Sequence, residues 1–244
     1  YKPYSQNWED VDKQLTREES KSFGANLLWR NPYIEEIREL SRSGNLDFNK
    51  KVIGTFQLLK QKFSWNGEYK LYSDLNFIFI GMLKSFGIKA YPVVMSRRSA
   101  GMLPVSFPSL QKLNTFVVAI YDEVKGKYVY LDGSMDIPAL NVLPVELSVT
   151  KARILSADIP ENKKWVNLQE IPTNQIFMKI SANAQGSQIT GRRTTILKGH
   201  DALGYRKEYQ TKDSLVNKQE LVKEKLAISN LKRTEMEDDF ATIQ

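Results

Sequence analysis

The feature that most constrains this chain is a helix-length run with almost no wet face, set within the stretch Gly67 to Tyr91. Leu75, Phe77, Ile78, Phe79, Ile80, Met82, Leu83 and Phe86 fall so close together that no polar stripe is left between them. A helix apolar on all sides is a buried helix. About a dozen such residues are too few to cross a bilayer, which takes roughly 20, so the run predicts the central helix of a soluble core. Gly87 ends it and KAYPVV begins a strand. The polar residues at its entrance, LYSDLN, are where any chemistry carried by the helix would have to sit.

A chain of 244 residues holds one sizeable domain with an appendage, or two small ones. Its 41% hydrophobic and 26% charged residues are those of a folded protein. The net charge of +7 is spread among acids without a long basic run, so nucleic-acid binding is not expected. There is no cysteine, which removes disulfides, thiolate nucleophiles and cysteine metal sites together. The only histidine, His200, lies far from the apolar run. No signal peptide or membrane span is visible, and the opening YKPYSQNW reads as mid-protein, so a fragment is expected.

Before the buried helix the pattern is helical. Asn7 or Ser5 caps WEDVDKQLTREES, where Trp8, Val11 and Leu15 keep near-helical spacing and Glu9 and Asp10 suit the first turn. Pro32 opens PYIEEIRELSRS, and a third amphipathic helix is predicted from about Asp47 to Phe63 through Val52, Ile53, Phe56, Leu59 and Phe63. Trp65, Asn66 and Gly67 then form either a turn with an aromatic plug or one wall of a cleft.

After the buried helix, strands are predicted at 90–96, 115–121 and 127–132, with shorter extended pieces at 152–155 and 165–168. The long connection SRRSAGMLPVSFPSLQKLN is of a length that often carries function. A boundary is placed at IPTN, giving domains 1–172 and 173–244. In the second, 175–184 and 187–197 alternate around Gln185 and Gly186 as a hairpin with one wet face. HDALGYRKEYQTK and NKQELVKEKLAISNL then read as helices, and RTEMEDDFATIQ as a polar tail without a packed ending.

Phosphate-binding glycine loops, paired-histidine metal motifs and the GxSxG elbow are all absent from the sequence. Acids such as Glu35, Glu36 and Glu39 sit on predicted helix surfaces as solvated charge, so neither metal nor cofactor is expected. Asn76, set among apolar neighbours, needs an internal partner, either backbone or Asp132. Asp132 in YLDGS suits the turn after a strand, where it would hold backbone donors.

The run SDLNFIFIGMLKSFGIKAYPVV resembles the transglutaminase-like superfamily, in which a nucleophilic Cys opens a buried helix that closes on Leu-x-x-x-Gly-Ile-x-Ala. NTFVVAIY resembles the strand that opens with the catalytic His, and KYVYLDGS the strand that ends in the catalytic Asp. With WNGEY and PVVMSRRSAGMLP added, the chain is similar to bacterial envelope proteins carrying such a domain between β-sandwich domains of unknown function. The resemblance implies an α+β, papain-like core over residues 1 to about 172, a periplasmic setting, and neighbouring β-sandwich domains as partners.

Carried over position by position, the Cys falls on Tyr72 with Ser73 as neighbour, the His falls on Thr115, and the acid survives as Asp132. A thiol of pKa about 8.5 is activated by imidazole, whereas a phenol near 10 or an aliphatic hydroxyl needs a stronger base, and threonine cannot relay a proton. The expectation is therefore a degenerate triad in a non-catalytic module that binds a peptide or glycan, or is structural. Candidate cleft residues are Trp65, Tyr72, Ser73, Asn114, Thr115 and Asp132, with Arg97 and Arg98 available to a carboxylate or phosphate. The alternative is a hydrolase or acyltransferase of altered chemistry using Ser73 or Tyr72 with Asp132.

Overall fold

The computed structural model describes residues 7–17, 33–42, 46–63, 72–171, 174–209 and 242–243. Trp65 and the predicted helix NKQELVKEKLAISNL lie outside the described residues, as do the side chains of Tyr72, Ser73 and Asp74. The chain divides into two compact units, Tyr1–Ile171 and Pro172–Gln244. Helices and antiparallel sheets together make it an α+β protein.

In the first unit, α1 (Trp8–Thr16), α2 (Ile34–Arg42), α3 (Phe48–Lys62) and α4 (Tyr72–Ser85) accompany strands β1 (Ala90–Met95), β2 (Thr115–Asp122), β3 (Lys127–Leu131), β4 (Ala152–Ile154) and β5 (Trp165–Val166). Local signals set the helix starts. Asn7 Oδ1 accepts from the Asp10 N–H at 2.8 Å, and Asp47 Oδ1 accepts from the Lys50 N–H at 2.8 Å. Gly87, at φ +79°, follows α4 in the left-handed conformation that ends a helix cheaply only at glycine.

The five strands form one antiparallel sheet in the order β3-β2-β1-β4-β5. Strand alternation assigns its two faces. Phe116 stacks on Phe77 of α4 with ring centroids 4.7 Å apart, so Val118 and Ile120 share the helix-covered face. Register adds Val94, Arg153 and Trp165 to it. The opposite face carries Val93, Met95, Val117, Ala119, Ala152 and Ile154, and it packs against Leu143, Leu147, Val149, Ile159 and Leu168. The sheet is thus the middle of three layers, with helices on one side and loop segments with short helical turns on the other.

The predicted buried helix is largely that: Phe79, Ile80, Met82 and Leu83 are wholly buried, while Phe77 and Ile78 are half-buried. Phe79 meets Phe56 of α3 edge to face at 5.8 Å. The acids of α2 stay at the surface, Glu35 pairing with Arg38 and Glu36 with Lys62 at 2.8 Å.

Sequence reading gave no warning of a charge cluster on the helix-covered face. Arg153 of β4 is fully buried, yet it holds two carboxylates. Its Nε and one terminal nitrogen donate to Asp12 of α1, both at 2.7 Å, and its terminal nitrogens donate to Glu161 at 2.8 and 2.7 Å. Lys164 adds a bond to Asp12 at 2.9 Å. The guanidinium also lies over the Trp165 and Trp8 rings, 5.2 and 6.0 Å from their centroids, and these rings meet edge to face at 5.0 Å. Burial alone pushes the Arg153 pKa down, and the hydrogen bonds to Glu161 and Asp12 more than reverse this, so the group stays charged.

In the second unit, β6 (Gln175–Gln185) and β7 (Gln188–Lys198) form a hairpin whose turn has Gly186 at φ +61°. Register puts Ile176, Met178, Ile180, Ile189 and Leu197 on one face, but Ile176, Met178, Ile180 and Ile189 are all exposed, so among the described residues the hairpin has two wet faces where the alternation predicts one. Helix α5 (His200–Tyr209) packs against β7. The tail differs from expectation: β8 (Thr242–Ile243) pairs with Lys198 and Leu197, so its end is held by the sheet rather than left without packing.

Two outcomes follow from the buried cluster. Asp12→Ala leaves Arg153 short of a countercharge, and the unfolding free energy from urea titration should fall by about 3–5 kcal/mol. The hydrogen bond from Arg153 also holds the Glu161 carboxyl below its ordinary pKa of 4.5. That contribution is complete above the ordinary value and is lost as pH falls through the lowered one. Acid titration of stability should therefore be shallower in Glu161→Gln than in the parent.

Candidate functional site

Asp132 follows β3 directly, where the chain leaves the sheet, and it points at α4. Asn76, one turn into α4, stands between them. Its Nδ2 donates to the Phe116 carbonyl at 2.9 Å and to Asp132 Oδ1 at 3.2 Å. Its Oδ1 accepts from the Gly133 N–H at 2.6 Å. Both partners expected for Asn76, backbone and Asp132, are present. Asn76 and Asp132 are 2% and 3% exposed, so this is an interior junction between helix and sheet.

Asp132 has little capacity left. Oδ1 also accepts from the Ser134 N–H at 3.0 Å, and Oδ2 accepts from the Ser134 hydroxyl at 2.7 Å. It therefore caps its own turn, in the way read from YLDGS. Gly133 has to be small here: a Cβ would lie 3.0 Å from Asn76 Oδ1 and 3.3 Å from the Leu75 carbonyl.

The other candidates divide among different places. Tyr72 is the first residue of α4, four positions before Asn76, and Ser73 follows it. Thr115 does not join them. It pairs with Met95, and this places it on the loop-covered face of the sheet beside Met95, whereas Phe116 is the residue turned to α4. Thr115 is thus turned away from α4.

Asn114 closes the base of the long loop: its Oδ1 accepts from the Arg97 N–H at 3.0 Å and its N–H donates to the Met95 carbonyl at 3.1 Å. Arg97 and Arg98 are exposed, and Arg98 lines a cavity beside Ser96.

Sequence reasoning missed Lys60. It lies on α3, half-buried, with its ammonium 5.3 Å from the Phe56 ring centroid. Burial pushes its pKa down, and the charges of Asp136 and Asp132 partly restore it. No spacing rule in the sequence connects α3 to the end of β3; only the surplus cation on an otherwise apolar helix face hinted at it.

Among the described residues, no group of three or more His, Asp or Glu side chains is gathered as metal ligands would be. No described helix is long and apolar enough to cross a membrane. No family model, curated protein or solved structure matches the chain.

Replacing Asn76 by alanine strands the Gly133 N–H in the interior. Asn76→Ala should therefore lose roughly 1–3 kcal/mol of unfolding free energy in urea titration.

Proposed function

We propose that this chain is a non-catalytic, transglutaminase-like module with a papain-like core, belonging to the bacterial cell envelope on the periplasmic side. Its role is to bind a peptide or glycan, or to act as a structural partner to neighbouring β-sandwich domains. The observation that carries this reading is the bonding of Asp132. The one member of the Cys-His-Asp set retained in sequence spends its oxygens on Asn76 and Ser134, joining helix to sheet. An acid that orients a catalytic base needs a free lone pair directed at that base.

Three further features support it. The chain has no cysteine, so no thiolate can form at the helix entrance. Thr115 faces away from α4, and its hydroxyl has no imidazole-like ability to take and return a proton. The order of a buried helix followed by antiparallel strands is the one that the resemblance implies, and α4 packs against β1 and β2 accordingly.

Two measurements test the reading. Treatment with a serine-reactive fluorophosphonate should leave Ser73 and Tyr72 unmodified in a peptide-mapping experiment; an adduct on either would establish an activated nucleophile and favour the hydrolase alternative. A screen of peptides and glycan fragments should find a saturating ligand whose affinity falls by about tenfold or more on Tyr72→Ala, the scale of losing one buried aromatic contact. Saturation indifferent to that change would remove the helix entrance from the binding surface.

A further inference from the structure

At the end of β1 the sheet opens into a cavity of about 280 Å³ that shares no residue with the Asn76–Asp132 junction. Ser96 and Lys151 line it one residue beyond the Met95–Ala152 pair, and the loop from Arg98 to Leu103 supplies further lining. Its apolar lining comes from Leu103 and Val149, which are buried, and from Met102, which is 85% exposed at the rim. The size suits one amino-acid residue rather than a cofactor, since drug-sized sites start near 300 Å³.

The charges at this site are one-sided. Arg98 and Lys151 both line the cavity and are exposed, and neither forms an ion pair with a carboxylate among the described residues. Glu146 reaches the same loop but accepts from the Ser99 N–H at 3.3 Å. Ser96, which also lines the cavity, is 2% exposed, and its Oγ has no hydrogen-bond partner among the described residues. An unmet buried hydroxyl is costly, and a ligand oxygen within reach of its χ1 rotation would relieve that cost.

We propose that this cavity captures the C-terminal residue of a peptide. The terminal carboxylate meets Arg98 and Lys151, with the Ser96 hydroxyl as a further donor, and the terminal side chain lies against Leu103 and Val149. Arginine and lysine together select an anion, and the apolar lining selects one that carries a hydrocarbon group, which phosphate lacks. Exposed Met102 at the rim offers apolar surface to the residue before the last, which a free small acid would leave uncovered. This proposal does not rest on the reading of the Asp132 junction.

The test is calorimetric titration of the full chain with four probes: N-acetyl-Ala-Ala-Leu, the same peptide as its C-terminal amide, N-acetyl-leucine and inorganic phosphate. The free-acid peptide should saturate, with the amide weaker by about tenfold or more, the scale of losing one charge-assisted bond. Arg98→Gln and Lys151→Gln, both surface changes, should each weaken the acid about tenfold and leave the amide unchanged. Ser96→Ala should weaken the acid without lowering Tm, because its hydroxyl holds nothing in the fold. No saturation at millimolar peptide, equal affinity for acid and amide, or indifference to Arg98→Gln and Lys151→Gln would overturn the proposal. So would phosphate binding as tightly as the peptide; N-acetyl-leucine binding as tightly would assign the cavity to free small acids instead.

Discussion

Arg153 sits on the helix-covered sheet face, in the strand next to the β5 edge, where a bare guanidinium would cost many kcal/mol to hold away from water. Its position is workable because α1 brings Asp12 to one edge of the guanidinium while the loop before β5 brings Glu161 to the other. Lys164 balances the second carboxylate, so two cations meet two anions, and the edge-to-face pair of tryptophan rings lies against the guanidinium. Replacement of such clusters by well-packed hydrocarbon is often neutral or better, which makes stability a weak reason for one. What this cluster supplies is address: α1 can dock in one place only. The consequence spreads outward, because the Trp8 indole N–H of α1 donates to the Val105 carbonyl, and Trp8 and Val11 pack with Leu103. The long loop is thereby held through α1, and with it the wall of the Ser96 cavity.

The Asn76 junction does the corresponding work for α4. A helix whose sides are nearly all apolar could slide or rotate on a sheet at modest cost, since hydrophobic contact is non-directional. Three directional bonds from one amide, to Phe116, Asp132 and Gly133, fix both its rotation and its depth. Asp132 is thereby a structural group, and the fold uses for registration an oxygen pair that a hydrolytic relay would need unengaged.

Much of this was legible in the sequence. The helix caps at Asn7 and Asp47, the stop at Gly87, the strands and the hairpin around Gly186 all come from local rules acting over a few residues. The partner of Asn76 could also be read, because an amide among apolar neighbours must find one. The tail could not: β8 owes its place to pairing with β7, and RTEMEDDFATIQ carries no such signal by itself. Thr115 was placed by counting along a strand, which gives position but not face, and one residue of parity turns a side chain through the sheet. The Arg153 cluster was invisible for a different reason. Asp12 looks like any first-turn neighbour of Glu9 and Asp10 on a polar helix, and only tertiary register shows that it faces inward.

The two ends of the Arg153–Asp12 pair lie 141 residues apart in the chain. A ribosome adding about 5–20 residues per second would have α1 exposed for roughly 7–28 seconds before β4 exists to receive it. During that interval α4 and strands β1 to β3 can form from contacts much closer in sequence, and Trp8 and Val11 can already meet Leu103, but Asp12 has no Arg153 to hold it. The placement of one arginine therefore makes the bond that fixes α1 to the sheet one of the last that synthesis can supply.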